Sequence, residues 1–506
     1  MRFGKSFASS VALITLFAVI TRAIGFVFRI FLSRVLGPEM LGVYQIAMSF
    51  FMIFLTLVAT GLPLAISKRV ATKQSGGVVW AGLVIAGVLS LVACTVVLAG
   101  ASLFGRLFTD ARCIKILIVL VPSVIASGVY CVIRSVWWGE KRYFLLGLSE
   151  LLEQVIRIVV FVIMLAFAFA FVDMGQIAAI SYTVACVLGA AVVVAIFIKT
   201  YKLRAKSDIT VRQQFKPLLR TAAPVTGVRT VASLTMPIIC VLLPARLVAG
   251  GYTPTAAVAA FGVLVGMTLP VLTIPQTVIS SLSTALVPEL SSAHNDKDKV
   301  KINRQISNAL TFTLFIVFAL TPAFMALGGG MGTFLYANRT SGVLLSQFAF
   351  AMVPMSLSQI TNAILNSLGA ETRAMKHYFI GSIALFAAIW FLPPVMGVAA
   401  LMVGMGACMT IASVLNLVLI ARITGAPVVR TTLRQVAIFS ALVVPTALIG
   451  YLLFGLLERP FGLFLALLVC GTACTGAYIL LCHVLDVVKI SIFRLKSSHN
   501  KTCSTS

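Results

Sequence analysis

Five arginines stand inside apolar runs of this chain: Arg22, Arg29, Arg134, Arg157 and Arg229. An Arg at the centre of a bilayer costs about 2.5 to 3.5 kcal/mol on insertion scales, so such residues normally face a protein interior or a wet cavity. Arg22 and Arg29 are seven residues, or two helical turns, apart and therefore project from one face, in a stripe shared with Ala18, Gly25 and Ser33. Few carboxylates are available to answer them. Glu150 and Glu153 lie in the run SELLEQVIRIVV, where Glu153 and Arg157 are four apart, on one face and able to pair. Glu289 sits only at the end of a later run. Two acids cannot neutralise five arginines, so water, backbone carbonyls or an anionic substrate must solvate the excess. Blander readings stand beside this one: Arg29 snorkels to a membrane surface, and Glu153 with Arg157 forms an ion pair internal to one lobe.

Long apolar elements must carry these side chains. Of 506 residues, 60% are hydrophobic and only 10% charged, where a soluble domain has about a quarter charged. The chain therefore reads as an all-α polytopic membrane protein. Its first apolar run is too long for a cleaved signal peptide and lacks a small-residue cleavage site, so it is expected to stay. A window of about twenty residues finds fourteen candidate spans, near 7–34, 41–67, 77–104, 114–138, 143–172, 176–198, 215–245, 255–291, 305–327, 341–368, 374–394, 396–421, 433–457 and 460–484. With the N-terminus in the cytoplasm, twenty-seven of the 39 basic residues fall on the cytoplasmic side and seven on the other, which fits the positive-inside rule. Both termini are then expected to be cytoplasmic.

The formal charge of +26 is in this reading an orientation signal and an attraction to anionic inner-leaflet lipid. It does not point to nucleic acid, because no loop is long enough to form a soluble domain that presents a basic surface. The longest basic loop, KTYKLRAKSDITVRQQFKPLLR, reads as a topological anchor and lobe linker. The ten cysteines are scattered through apolar spans without metal-ligand spacing and read as small packing residues, and His294, His377, His483 and His499 fall at loops or helix ends. Neither a metal nor a cofactor is expected. No Gly-rich phosphate loop with Lys-Ser or Lys-Thr occurs, so the energy source is expected to be an ion gradient, the membrane potential or the gradient of the substrate itself.

The chain also echoes itself. Pro63 with Ser67 matches Pro288 with Ser292 at an offset of 225 residues, and Pro122 matches Pro354 at an offset of 232. A duplicated six-helix unit would produce this, and repeats of that kind place a substrate site between two lobes near the membrane midplane. The expected organisation is an N-terminal six-helix lobe over 1–198, a basic linker over 199–220, a C-terminal six-helix lobe over 215–421, two additional helices over 433–484 and a cytoplasmic tail over 485–506.

The runs TRAIGFVFRIFLSRVLGPEMLGVYQIA, GLPLAISK, LLEQVIR, LVPELS and TNAILNSLGAETR together resemble the polysaccharide-biosynthesis flippases of the multidrug/oligosaccharidyl-lipid/polysaccharide exporter superfamily. Within it the likeness is to the stage V sporulation protein B branch, related to Gram-positive lipid II flippases, and it covers nearly the whole chain. The resemblance implies a twelve-helix, two-lobed core with two extra helices, and export of an undecaprenyl-pyrophosphate-linked saccharide or peptidoglycan precursor by alternating access. It implies that Arg22 and Arg29 line the central cavity and that Arg229 serves as a cavity arginine of the second lobe. It also implies that a polyprenyl chain rests in lipid or in a groove made by spans thirteen and fourteen. One departure limits the transfer: proteobacterial lipid II flippases carry a GxxxDAF pattern after the first helix, whereas LGVYQIA here has no acid.

The chemistry of the five arginines fits that substrate class, because a guanidinium binds a pyrophosphate through paired hydrogen bonds where an ammonium acts as a point charge. The expected substrate-binding set is Arg22, Arg29, Arg229, Arg134, Glu153 and Arg157. Expected partners are the lipid-linked glycan, membrane lipid and a coupling ion, with one complete two-lobed unit acting as a monomer. Competing classes are a drug or cation antiporter, which needs intramembrane carboxylates where the first helix has none; a polyprenyl-linked glycosyltransferase, which needs catalytic acids or a large outer loop; and a scaffold that keeps the fold without transport.

Overall fold

The computed structural model of the chain describes residues 3–72, 77–168, 173–200, 211–296 and 298–485. The expected tail, the centre of the basic loop and residues Lys73, Lys297 and His499 lie outside them. All regular structure among the described residues is helical. In hydrocarbon every backbone N–H and C=O must be satisfied within the protein, and a helix does this inside one segment. Twelve segments are long and apolar enough to cross a membrane among the described residues. The chain is a multi-pass membrane protein.

The count departs from fourteen at two places. Leu16–Ala71 counts as a single apolar segment of 56 residues, although the helix Phe3–Ala59, which overlaps most of it, is bent at Gly37 (φ 68, ψ 175). Glycine tolerates that left-handed value, and Pro38 follows without a backbone N–H to lose. The helix Tyr143–Ala168, 26 residues long, is not among the twelve; it carries Glu150, Glu153 and Arg157 in an otherwise apolar run.

The chain packs as two compact units, Met1–Met267 with Ile389–Val398, and Thr268–Ala388 with Ala399–Ser506. In the first unit, close backbone approach sets the packing. A Cβ on Gly42 would lie 2.1 Å from the Val258 carbonyl oxygen, and one on Gly61 2.2 Å from that of Ala222, so the chain after the bend lies directly on the helix Pro254–Phe261, and the helix Gly61–Ala71 on Val211–Ser233. Leu41, Ile46, Phe51, Trp137 and Phe161 fill the core. Ile389–Val398 is held to this unit by Arg246, whose Nε donates to the Trp390 carbonyl at 2.9 Å while its guanidinium stacks 4.6 Å from the Trp390 ring.

Just past the bend, Glu39 pairs with Arg112, which also holds Asp110 at 2.7 Å in the turn before the helix Arg112–Leu120. Burial opposes the charge on Asp110, but hydrogen bonds from the Arg112 side chain and backbone N–H outweigh it and hold the carboxyl below its ordinary value. A depressed carboxyl stabilises the fold above its unfolded value of about 3.9, and that contribution fades as pH falls through the folded one. Asp110→Asn should therefore lower the thermal midpoint in detergent at neutral pH, with the gap to wild type closing below about pH 4. An equal gap at pH 3 and pH 7 would show that Asp110 does not act through its charge.

The second unit is built on the 38-residue helix Lys299–Tyr336 and on Val428–Val484, itself bent at Gly462 (φ 76). Tight glycine packing recurs here: a Cβ on Gly332 would fall 2.3 Å from the Gly342 nitrogen. A buried polar network joins three further helices. Asn416 donates through Nδ2 to Thr361 (3.2 Å) and Asn362 (2.9 Å), while its oxygen pairs with His377 Nδ1 at 2.8 Å.

Candidate functional site

The helix Tyr143–Ala168 carries the centre of the candidate site. Glu150, Glu153 and Arg157 recur at three and four residues and so share one face. Gln154, on the next face, is buried and approaches Gly25 on the first helix; a Cβ there would lie 3.6 Å from Gln154 Nε2. The same helix is tied to the first by edge-on contacts of Phe161 with Phe28 and Phe31. Gly25 lies midway between Arg22 and Arg29, so the acidic helix runs against the arginine stripe.

Arg157 Nη2 donates to Glu153 Oε1 at 2.6 Å, and its guanidinium lies 4.8 Å from the ring of Tyr182 on the helix Met174–Thr200. The ion pair internal to one helix is thus present. Gly189 gives Glu153 room against that helix: a Cβ there would lie 3.5 Å from Glu153 Cγ. Arg134, on the helix Ser123–Gly139, donates to Glu150 Oε2 at 3.0 Å and to the Leu146 carbonyl at 3.4 Å, with its guanidinium 5.1 Å from the Tyr130 ring. The Nε groups of Arg134 and Arg157 are buried and donate to nothing.

Arg29 is half-buried, and its Nη2 donates to the Val265 carbonyl at 3.2 Å, within the π-helical turn Gly262–Thr268. π-turns recur at functional sites because the looser ladder re-aims backbone groups. The structure therefore brings Arg134, Glu150, Glu153 and Arg157 together, while Arg29 engages the Val265 carbonyl. Arg22 is exposed on the first helix and makes no hydrogen bond or ion pair among the described residues, and the same holds for Arg229 on Val211–Ser233. That helix belongs to the first unit, so all five arginines do. With both acids of Tyr143–Ala168 committed to Arg134 and Arg157, the set of five arginines and two acids keeps a positive balance.

Two tyrosines, Tyr130 and Tyr182, complete the cluster that charge alone did not reveal, their rings lying against the Arg134 and Arg157 guanidinium groups. One signal was available, since Tyr130 precedes Arg134 by a helical turn in an otherwise apolar run. Tyr130 is 7% exposed and packs with Ile133, Trp137, Ala190 and Val193.

An apolar groove of about 610 Å³ lies in the second unit. It is lined by Leu320, Phe324, Leu327 and Phe334 of Lys299–Tyr336 and by Leu467 and Gly471 past the Gly462 bend. It thus runs along the Lys299–Tyr336 helix and the last span, where a groove between spans thirteen and fourteen was expected.

Comparison with known proteins bears on this arrangement. The chain is 26% identical over 402 residues to stage V sporulation protein B of Bacillus subtilis (strain 168), covering 75% of this chain and 76% of that one. Its fold is similar to the lipid II flippase MurJ in an inward closed conformation, with TM-score 0.67 at 14% identity over 94% of this chain and all of the other. It is similar to the same degree, TM-score 0.67 at 16% identity over 82% of this chain and 98% of the other, to an inward-facing multidrug resistance MATE family transporter of the MOP superfamily. The model of the polysaccharide biosynthesis protein family matches residues 7–294, more than half of the chain, and the chain belongs to that family.

Proposed function

We propose that this protein moves a polyprenyl-diphosphate-linked saccharide, most simply a peptidoglycan precursor of the lipid II kind, across the cytoplasmic membrane by alternating access. The observation that carries the reading is the arginine cluster: guanidinium groups in an apolar protein, two with buried N–H donors still unspent, and too few acids to balance them. Diphosphate oxygens answer both deficits, accepting the unmade hydrogen bonds and supplying the missing negative charge. Arg22 and Arg229, exposed and without partners among the described residues, would meet the head group first, and Arg29, Arg134 and Arg157 would then hold it. The reading includes fourteen crossings, with two at the Gly37 bend and one through Tyr143–Ala168, two six-helix repeats, cytoplasmic termini and a monomer. Relatives named for sporulation and for lipid II flipping support this substrate class. Other polyprenyl-linked repeat units share the same head-group chemistry.

Cation or drug exchange of the MATE type is the second reading, supported by the likeness of the fold to several MATE structures. Against it stands the commitment of both acids of Tyr143–Ala168 to arginines, which leaves a cation to compete with a fixed guanidinium. Complementation of a host depleted of its own lipid II flippase, with wild type and Arg22→Ala side by side, separates these readings. Rescue by wild type, lost in Arg22→Ala at equal membrane expression, is the expected result. Failure of well-expressed wild type to rescue, together with resistance to cationic drugs, would favour the second reading.

A further inference from the structure

Two cavities of about 190 and 240 Å³ in the second unit adjoin at Asn303, near the start of Lys299–Tyr336. Together they reach the lower end of the range of small-molecule sites, about 300 to 1,000 Å³. Their polar groups are of two kinds. The first cavity presents donors, the exposed Lys299 and His294. The second presents groups that lack donors: Asn303 Oδ1 is buried without a hydrogen bond, and Gln435 spends its Nε2 on Thr311 at 2.8 Å while its Oε1 accepts nothing among the described residues. Beside them Thr432, at the start of Val428–Val484, is 2% exposed and makes no side-chain hydrogen bond among the described residues. No carboxylate is among the residues that line either cavity. The helix ends around them, residues 289–304 and 422–434, hold seven Lys and Arg against three Asp and Glu, so the surroundings are positive. At 38 residues, Lys299–Tyr336 exceeds the length needed to cross about 30 Å of hydrocarbon, and its charged first turns lie at the level of lipid head groups or the water beyond.

We propose that the joined cavities bind a phosphorylated polyol: the glycerol phosphate head group of an anionic phospholipid, or the same group free in solution. The phosphate accepts charge-assisted hydrogen bonds from Lys299 and a further one from the His294 ring N–H. The polyol hydroxyls donate to Asn303 Oδ1 and Gln435 Oε1 and exchange a hydrogen bond with Thr432. A buried acceptor left unmade is costly, and a ligand hydroxyl removes that cost where an apolar group cannot. Water fills many polar cavities. What marks this one is the separation of cations from open acceptors, in the order that phosphate and hydroxyls take along a glycerol phosphate. An ammonium head group also carries donors, but it meets a positive surrounding with no carboxylate to hold its charge.

The test titrates the detergent-purified full chain with phosphatidylglycerol, phosphatidate, phosphatidylethanolamine and phosphatidylcholine in mixed micelles, and with soluble glycerol phosphate, reading affinity from the rise in thermal midpoint. Phosphatidylglycerol should bind more tightly than phosphatidylethanolamine or phosphatidylcholine. Thr432→Val removes a hydroxyl and keeps every charge, and it should weaken phosphatidylglycerol by roughly two- to tenfold, the worth of one neutral hydrogen bond, while leaving phosphatidate, which lacks the polyol, unchanged. Asn303→Leu should act in the same direction, and the nearly isosteric Thr432→Val carries the test should Asn303→Leu not fold. Lys299→Gln should weaken both anionic lipids, with the difference from wild type shrinking as salt screens the charge. Thr432-dependent binding of phosphatidylglycerol but not of glycerol phosphate assigns the lipid as the source, and the reverse assigns a soluble ligand; either upholds the site. Equal affinity of wild type and Thr432→Val for both ligands overturns the inference and leaves only attraction of anions to a basic surface. Tighter binding of phosphatidylethanolamine than of phosphatidylglycerol overturns it as well, and so does the absence of binding by phosphatidylglycerol and glycerol phosphate alike, which leaves water as the occupant.

Discussion

Arg157→Ala should destabilise the protein by about 3 kcal/mol, and Glu153→Ala combined with it should recover most of that loss. Removing one member of a buried pair leaves the other as an uncompensated charge, whereas removing both leaves an apolar gap of modest cost. The figure is set at the low end of the range for buried pairs because 25% of Arg157 and 22% of Glu153 remain accessible, and because a carboxylate left alone can shed its charge by taking a proton. A double-mutant cycle on thermal or denaturant midpoints in detergent measures the coupling. Additive losses from the two single changes would mean that the 2.6 Å contact contributes nothing net to the fold. Transport should fall in both variants that lack Arg157, so stability and activity separate in the double variant: folded, yet inactive.

Arg29→Ala should reduce transport by at least tenfold while membrane expression persists. A hydrogen bond to a charged group is worth about 1.5 to 3 kcal/mol, and each 1.4 kcal/mol withheld from the loaded state is a factor of ten. Arg29→Lys should fail to restore it, because an ammonium cannot hold the Val265 carbonyl and a phosphate oxygen in one plane as a guanidinium can. Flipping of a fluorescent lipid-linked saccharide in proteoliposomes reads this directly. Full rescue by lysine would show that Arg29 supplies charge alone, and full activity in Arg29→Ala would remove it from the binding set.

These two arginines illustrate how unevenly the chain discloses itself. The Glu153–Arg157 pair was legible from spacing, since residues four apart on a helix face each other whatever surrounds them. The partner of Arg134 was not: Glu150 is sixteen residues away on another helix, and only the packing of Tyr143–Ala168 beside Ser123–Gly139 brings them within 3.0 Å. Nor was Arg29's partner legible, since Val265 is 236 residues distant and offers a backbone carbonyl, which no residue type marks.

Apolar length and charge scarcity alone made this a polytopic helical membrane protein, because hydrocarbon leaves the backbone no other local way to satisfy its polar groups. The same sequence marked the arginines as groups needing water, carbonyls or an anion, since burying a guanidinium costs energy wherever it lies. Which of them converge was decided by tertiary contact. Close approach at Gly42 and Gly61, the bend at Gly37 and the π-turn at Gly262–Thr268 bring some arginines to acids or carbonyls, while Arg22 and Arg229 remain exposed on their helices. Helix periodicity orders side chains around one axis only. Their distances across axes follow from how closely two backbones can approach, a property of the packed molecule.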